Sequence, residues 1–317
     1  MDPVALGEVM RAVTVGVVEA SNHADWPVGA HVLGFGGVAE YFVGIPGVNV
    51  LYKAGDNAGL PLTADLSVCS IIIGLTAWFG VNKVLQGAFP RYGYCGCCLH
   101  ALNACTIHSA SRSQGWRRGG GVRRRRRRRL PGGAAVRAPR RRACAAADAS
   151  RRAKLRGAKV AGIAGSADKC AWLAKDLGLD CAINYKADDV GAKLKAFAPD
   201  GATCYFDNVG GAVTDDVLLG MRNHARVAVC GSISEYDDAW AGQRNWNLIL
   251  MRRLKIQGFI CTDQMAHLGT AKAELSALAA AGKLQYTEDI REGLETYPAT
   301  VRLLFSGENT GKLILKV

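Results

Sequence analysis

The chain has 317 residues, 49% of them apolar, and a formal net charge of +13, enough for about two globular domains with a core in each. Such a charge normally points to nucleic acid or an anionic membrane, but residues 88–152 hold 17 arginines, no lysine and one acid. That is a net of +16, leaving −3 for the rest. Nucleic acid is therefore not an expected partner of the folded surface, nor is a membrane, since the longest apolar run, around Val68–Val81, is too short to span a bilayer. Asp2 and Glu8 speak against a secretory signal, and six of the eleven cysteines sit singly in apolar runs. Both features predict a cytoplasmic protein with reduced thiols.

In chain order, TVGVVEAS reads as a strand, PVGAHVLGFGG as turn residues around an apolar centre, and VAEYFVG as an alternating strand before Ile45-Pro46-Gly47. Together they suit a small β-barrel or part of one. After Pro61, LTADLSVCSIIIGLTAWFGVNKVL predicts two apolar helical pieces broken at Gly74. Residues 87–152 sustain neither period, include seven consecutive arginines (Arg123–Arg129), and are predicted disordered. Globular text resumes at Ala153 as if in mid-helix. KVAGIA is a strand, Ser166 stands as an N-cap before ADKCAWLAKDLGL, and CAINYK, TCYFDNVGG and RVAVCGSISEY are further strands. NWNLILMRRL (helix), KIQGFIC (strand), a helix around Ala271–Ala281 stopped by Gly282, REGLETYPATVRLLFSG (helix) and GKLILKV (strand) complete the chain. Alternation of this kind predicts an α/β fold with a doubly wound parallel sheet.

Ligands of such sheets bind beyond the carboxyl ends of the strands. Those ends are Ser166/Lys169, Tyr185, Asn208–Gly211 and Cys230–Ser232. A dinucleotide fold also needs a glycine-rich turn whose N–H groups meet the pyrophosphate. Neither G-x-G-x-x-G nor A-x-x-G-x-x-G occurs, and the strand and turn that should precede AKLRGAKV read as missing. Lys169, in the first turn after a strand that ends in small residues, favours NADP. In the competing reading it is a solvated lysine and Asp168 is the strand-end acid. Tyr185 could flank an adenosine phosphate or be a half-buried strand-end tyrosine. Asn208 could orient a nicotinamide or simply form a turn. Tyr236, six positions after Cys230, could bind a carbonyl or supply a proton, or be structural.

These stretches, with PVALGEVMRA, GLTAWFGV, LKIQGFI, GKLQY, GLETYPA and GENTGKLILKV, resemble the zinc-independent medium-chain dehydrogenases/reductases of the prostaglandin reductase/alkenal double-bond reductase type. The likeness covers nearly all of residues 4–86 and 153–317. It implies a partial GroES-like barrel (1–70, with 283–317 returning to it), a Rossmann domain (71–86 and 153–282), a homodimer, and NADPH-dependent reduction of the C=C bond of enals or enones. No metal is expected. Carried over, cofactor contacts fall on Thr76, Lys169, Tyr185, Asn208, Cys230, Gly231, Ser232, Phe259, Cys261 and Asn309, and the catalytic role on Tyr236. Tyr236 would hold the substrate carbonyl while hydride passes to the β-carbon.

Residues 87–152 depart from the family, and with them activity itself comes into question. They read in three ways: an arginine-rich nucleic-acid-binding segment; a metal site from Cys95, Cys97, Cys98, His100, Cys105 and His108, whose spacing lacks the regularity of a structural zinc site; or text from a retained intron or shifted frame. Composition favours the last, which would make the chain an inactive member of an enzyme family.

Overall fold

The computed structural model describes residues 4–86, 92–95, 106–108, 145–232, 234, 242–306, 309 and 311–317. The strands, in chain order, are β1 (Val13–Val17), β2 (His31–Gly34), β3 (Val50–Lys53), β4 (Tyr92–Cys95), β5 (Thr106–His108) and β6 (Lys159–Ala164). They continue as β7 (Cys181–Asn184), β8 (Ala202–Asp207), β9 (Met221–Val229), β10 (Lys255–Gly258), β11 (Glu288–Glu292) and β12 (Lys312–Lys316). The helices are α1 (Thr76–Phe79), α2 (Ala145–Leu155), α3 (Ala167–Lys175), α4 (Val190–Phe197), α5 (Gly211–Leu219), α6 (Asn247–Met251), α7 (Leu268–Ala280) and α8 (Tyr297–Ser306).

Two six-stranded sheets result. One runs β10-β9-β8-β4-β6-β7 and is parallel throughout. Its central strands are covered on both faces: all six residues of β8 are buried, as are five of six in β6. The other runs β11-β12-β5-β1-β2-β3 and is mixed, with β1, β2 and β3 antiparallel. The α/β class and the parallel sheet are as the sequence predicts.

The expected gap in that sheet is not there. β4 lies between β6 and β8, parallel to both, with Tyr92 opposite Lys159, Cys95 opposite Gly162 and Tyr94 opposite Tyr205. An empty slot would strand two rows of buried N–H and C=O groups. Ladder bonds come from the main chain, so YGYC can supply them without any family signature. β5, parallel to β1 and β12, and α2 also arise inside residues 87–152. Helical structure thus begins at least eight residues before the expected resumption at Ala153. The arginine run and Cys97, Cys98, His100 and Cys105 lie outside the described residues.

Three smaller expectations also change. VAEYFVG forms no strand, and β3 takes the edge of the barrel sheet instead. Gly74 does not break the helix: Ile71–Leu75, α1 and Gly80–Val84 follow without interruption. A Cβ at Gly74 would stand 2.2 Å from the Val68 carbonyl oxygen and 2.9 Å from Leu275. The glycine therefore serves close packing. Arg291 and Glu292 pair with β12 in β11, leaving the last helix to start at Tyr297.

α7 ties the layers together. Its Lys272 ammonium lies 2.8 Å from Asp65, whose other oxygen accepts from the Gly55 N–H and the Asn57 amide. Two residues on, Glu274 accepts from Arg152 of α2 (2.7 Å) and from the Trp78 indole (2.6 Å).

α2 itself buries two ionisable groups. Arg152 is 2% exposed and Asp148 1%, and Arg152 Nε and Nη1 and Asp148 Oδ2 lack a hydrogen-bond partner among the described residues. Burial pushes the Asp148 carboxyl up to about 8, with Arg152 opposing. The folded chain therefore holds a proton that the unfolded chain releases near pH 3.8. Stability from this group is full below that value and declines up to about pH 8. Denaturant midpoints measured from pH 4 to 8 should fall in the wild type and lie flatter in Asp148→Asn. Arg152→Met, by contrast, leaves Glu274 without its ion partner and should lower the midpoint at every pH.

Candidate active site

Because the large sheet is parallel, Ala164, Asn184, Asp207, Val229 and Gly258 end their strands on one edge, followed by Gly165, Tyr185, Asn208, Cys230 and Phe259. At the β6 end, Ser166 caps α3 as predicted, accepting from the Lys169 N–H at 3.3 Å. Lys169 is only 7% exposed, which removes the solvated-lysine reading, while Asp168 is exposed on the helix and not at a strand end. Tyr185, half-buried beyond β7, lays its ring against Gly165. A Cβ there would stand 2.8 Å from Tyr185 Cε1 and 3.0 Å from its hydroxyl. Tyr185 thus covers one bare glycine, four residues before Lys169.

The β8 and β9 ends are joined by hydrogen bonds. Asp207, 2% exposed, accepts through Oδ1 from the N–H groups of Val209 (2.9 Å) and Gly210 (3.1 Å) and from the Tyr205 hydroxyl (3.0 Å). Through Oδ2 it accepts from Thr214 at 2.8 Å. Burial pushes its carboxyl up and these four donors pull it down. Gly210 (φ 72) and Gly211 (φ 56) take conformations that side chains disfavour, and a Cβ at Gly211 would also stand 2.8 Å from Ser234 Oγ. Asn208 is buried, with Oδ1 3.5 Å from Cys230 Sγ; a Cβ at Gly231 would come within 2.4 Å of the same oxygen. The Cys230 N–H and thiol both donate to the Asp207 carbonyl, at 2.8 and 3.2 Å. Asn208, Cys230 and Gly231, predicted separately, form one contact set, and Ser232 follows half-buried.

A second set gathers beside it. The Thr76 hydroxyl, buried in α1, hydrogen-bonds with the Cys261 thiol, opposing the upward push of burial on that thiol. Phe259 donates its N–H to Val229 at the end of β9 and packs on Phe79, ring centroids 5.2 Å apart. His267 lies 5.7 Å from both Phe79 and Trp78. Gly80 lets these rings close on the sheet, since a Cβ there would meet Phe206 at 2.5 Å and Phe259 at 3.2 Å.

Two predicted residues stand apart. Tyr236 lies outside the described residues. The Asn309 amide donates to the Gly311 carbonyl at 2.8 Å, closing the turn before β12, and no hydrogen bond joins it to either set among the described residues. Sequence reading passed over Asp207, although an acid before Asn-Val-Gly-Gly was a visible signal. It also passed over Gly165, Gly80 and His267, whose roles depend on contacts across the fold. A cavity of about 740 Å³ lies on the barrel, lined by residues such as Glu19, His23, Trp26, Tyr41 and Phe42, and shares no residue with the crevice.

Phe206 is 1% exposed and its ring has no room to retreat. Gly80→Ala should therefore cost about 1–3 kcal/mol of stability. Gly258→Ala, whose Cβ meets nothing within 4 Å, should stay within about 1 kcal/mol of wild type. Thermal denaturation of the two variants checks the difference.

Residues 149–279 match the family described as zinc-binding dehydrogenase, and residues 1–50 the N-terminal domain of oxidoreductase. The NADPH-dependent curcumin reductase of Escherichia coli is 30% identical over 322 residues, covering 99% of this chain and 80% of that protein. The NADP(+)-dependent 2-alkenal reductase of Nicotiana tabacum is 40% identical over 168 residues, 52% of this chain and 49% of that one. Against several curated relatives, then, the match spans about half of their length. The crystal structure of CurA from Vibrio vulnificus in complex with NADPH superposes with a TM-score of 0.73 at 29% identity, over 100% of this chain and 82% of that one. With that coverage and that identity along its whole length, the chain belongs to the medium-chain dehydrogenases/reductases, in the branch that holds the curcumin, alkenal and prostaglandin reductases.

Proposed function

We propose that this chain is an NADPH-dependent oxidoreductase that reduces the C=C bond of α,β-unsaturated aldehydes or ketones. The observation that carries this reading is the single edge of the parallel sheet, where a buried Lys169 with Tyr185 over Gly165 lies along from the Asn208–Cys230–Gly231 set. The residues suit NADPH. Lys169 offers a cation in the first turn of α3, where a 2′-phosphate is favoured. Tyr185 flanks the same position. Asn208, Cys230, Gly231 and Ser232 offer an amide and closely approachable backbone for the nicotinamide half, and Thr76, Phe259, Cys261 and Asn309 complete the proposed contacts. When bound, NADPH supplies the hydride. Tyr236 holds the substrate carbonyl oxygen and a proton for return to the α-carbon. The relatives named for curcumin and 2-alkenal reduction support this substrate class.

The protein works as a homodimer in this reading. β10 is an edge strand, and Trp246, Leu250, Met251 and Ile260 are each more than half exposed near it. That is an apolar border suited to strand-to-strand pairing with a second copy. A second reading, an inactive product of a shifted or unspliced frame, draws on the buried Asp148 and Arg152 of α2, three of whose polar atoms have no hydrogen-bond partner among the described residues.

Fluorescence titration should detect NADPH binding; none at millimolar cofactor would leave only the second reading. Lys169→Ala should weaken NADPH about tenfold or more and NADH little, since a charge-assisted contact is worth about 1.5–3 kcal/mol. With a 2-alkenal as substrate, Tyr236→Phe should lower kcat about 10²–10⁴-fold with the alkenal KM nearly unchanged. In sedimentation velocity, Leu250→Glu should convert dimer to monomer.

A further inference from the structure

Asp207 is the most heavily hydrogen-bonded buried side chain near the crevice, and no step of the proposed reaction uses it. The residue is 2% exposed, and its carboxylate accepts from Val209, Gly210 and Tyr205 through Oδ1 and from Thr214 through Oδ2. α5 begins at Gly211 after a glycine N-cap that offers no side-chain acceptor. The Asp207 carboxylate accepts instead from the N–H of the N-cap Gly210 and of Val209 before it, close to the helix N-terminus, where a negative charge is favoured. Its main-chain carbonyl holds the other flank by accepting from both the N–H and the thiol of Cys230. Val209 is pinned a second time, its carbonyl accepting from Ser234 N–H (3.0 Å) and Oγ (2.6 Å).

From this arrangement we propose that Asp207 is a positioning residue. It clamps the chain on both sides of Asn208 and so sets where the Asn208 amide and the Gly231 backbone meet the nicotinamide half of the cofactor. The proposal deepens the NADPH reading above and rests on it. Among the described residues, the Asn208 side chain meets Cys230 at 3.5 Å and closely approaches Gly231. Without the clamp, the two glycines that follow it leave the turn free to relax. The other cofactor half would not feel the change, because Lys169 and Tyr185 are fixed by Ser166 and Gly165 at the ends of β6 and β7.

Two ligands separate this role from a merely structural one: NADPH, and 2′,5′-ADP, which carries only the adenosine half. In the full-length chain, Asp207→Ala should weaken NADPH about tenfold while 2′,5′-ADP stays within about twofold. Asp207→Asn should restore NADPH to within about threefold, since its carboxamide oxygen can accept from the Val209 and Gly210 N–H groups while its NH2 faces the Thr214 oxygen. Equal weakening of both ligands, or of neither, would overturn the proposal. So would an Asn variant as weak as the Ala variant. Should Asp207→Ala not fold, hydrogen exchange in the cofactor-free wild type decides. The Val209 and Gly210 amides should be protected about a hundredfold or more, and exchange at the open-chain rate rejects the clamp. If the wild type binds neither ligand, it is the NADPH reading that fails.

Discussion

Between β6 and β8 the large sheet has a slot one strand wide, walled by main-chain donors and acceptors that no water can reach. In a sheet buried on both faces such groups must be paired, each unmet one costing about 1–3 kcal/mol. β4 meets that demand with four residues that carry no family signature. The requirement is for extended backbone in a given place, and YGYC satisfies it as well as a valine-rich strand would. Everything downstream depends on this closure. Only with β6 and β8 held in register do their carboxyl ends line one edge, and only then can the residues after them act as one crevice.

Electrostatics joins the helical layer to that sheet unevenly. α7 places Lys272 against Asp65 and Glu274 against Arg152, so one helix braces both the segment leading from the barrel and the first crossover helix. The first pair is well served, because Asp65 has two further donors. Lys272 also lies 5.4 Å from the Tyr52 ring centroid. The acid raises the titration of its neighbours: Tyr52 is pushed up chiefly by burial and then by Asp65, and Cys69 to about 12 for the same two reasons. The second pair is served less well, since among the described residues Arg152 Nε and Nη1 meet no acceptor. Two ion pairs of similar length thus differ in worth, and the difference lies in what else satisfies the buried partner.

In the crevice, glycines and one carboxylate divide the labour. Gly165, Gly231 and Gly80 are bare where Tyr185, Asn208 and Phe206 press in. Gly210 and Gly211 bend the chain after β8. Asp207 then binds the bend from inside. The functional amide of Asn208 is therefore seated on a buried carboxylate, and the carboxylate in turn lies beside a helix N-terminus.

Much of this was legible in the residues alone. The strands from KVAGIA to KIQGF, the Ser166 cap and the strand-end residues followed from local rules, because apolar runs, capping side chains and glycine turns act over a few positions. Family likeness carried the proposed cofactor contacts. What sequence could not decide was whatever depended on distant neighbours. VAEYFVG alternates like a strand yet finds no partner, Gly74 looks like a break yet sits under the Val68 carbonyl, and YGYC looks like nothing yet completes the sheet. Lys169 favoured a site over the surface in the sequence, and only its burial removes the solvated reading. Local propensity named the pieces, and tertiary packing alone determined which backbone had to be paired and which side chains had to share a space.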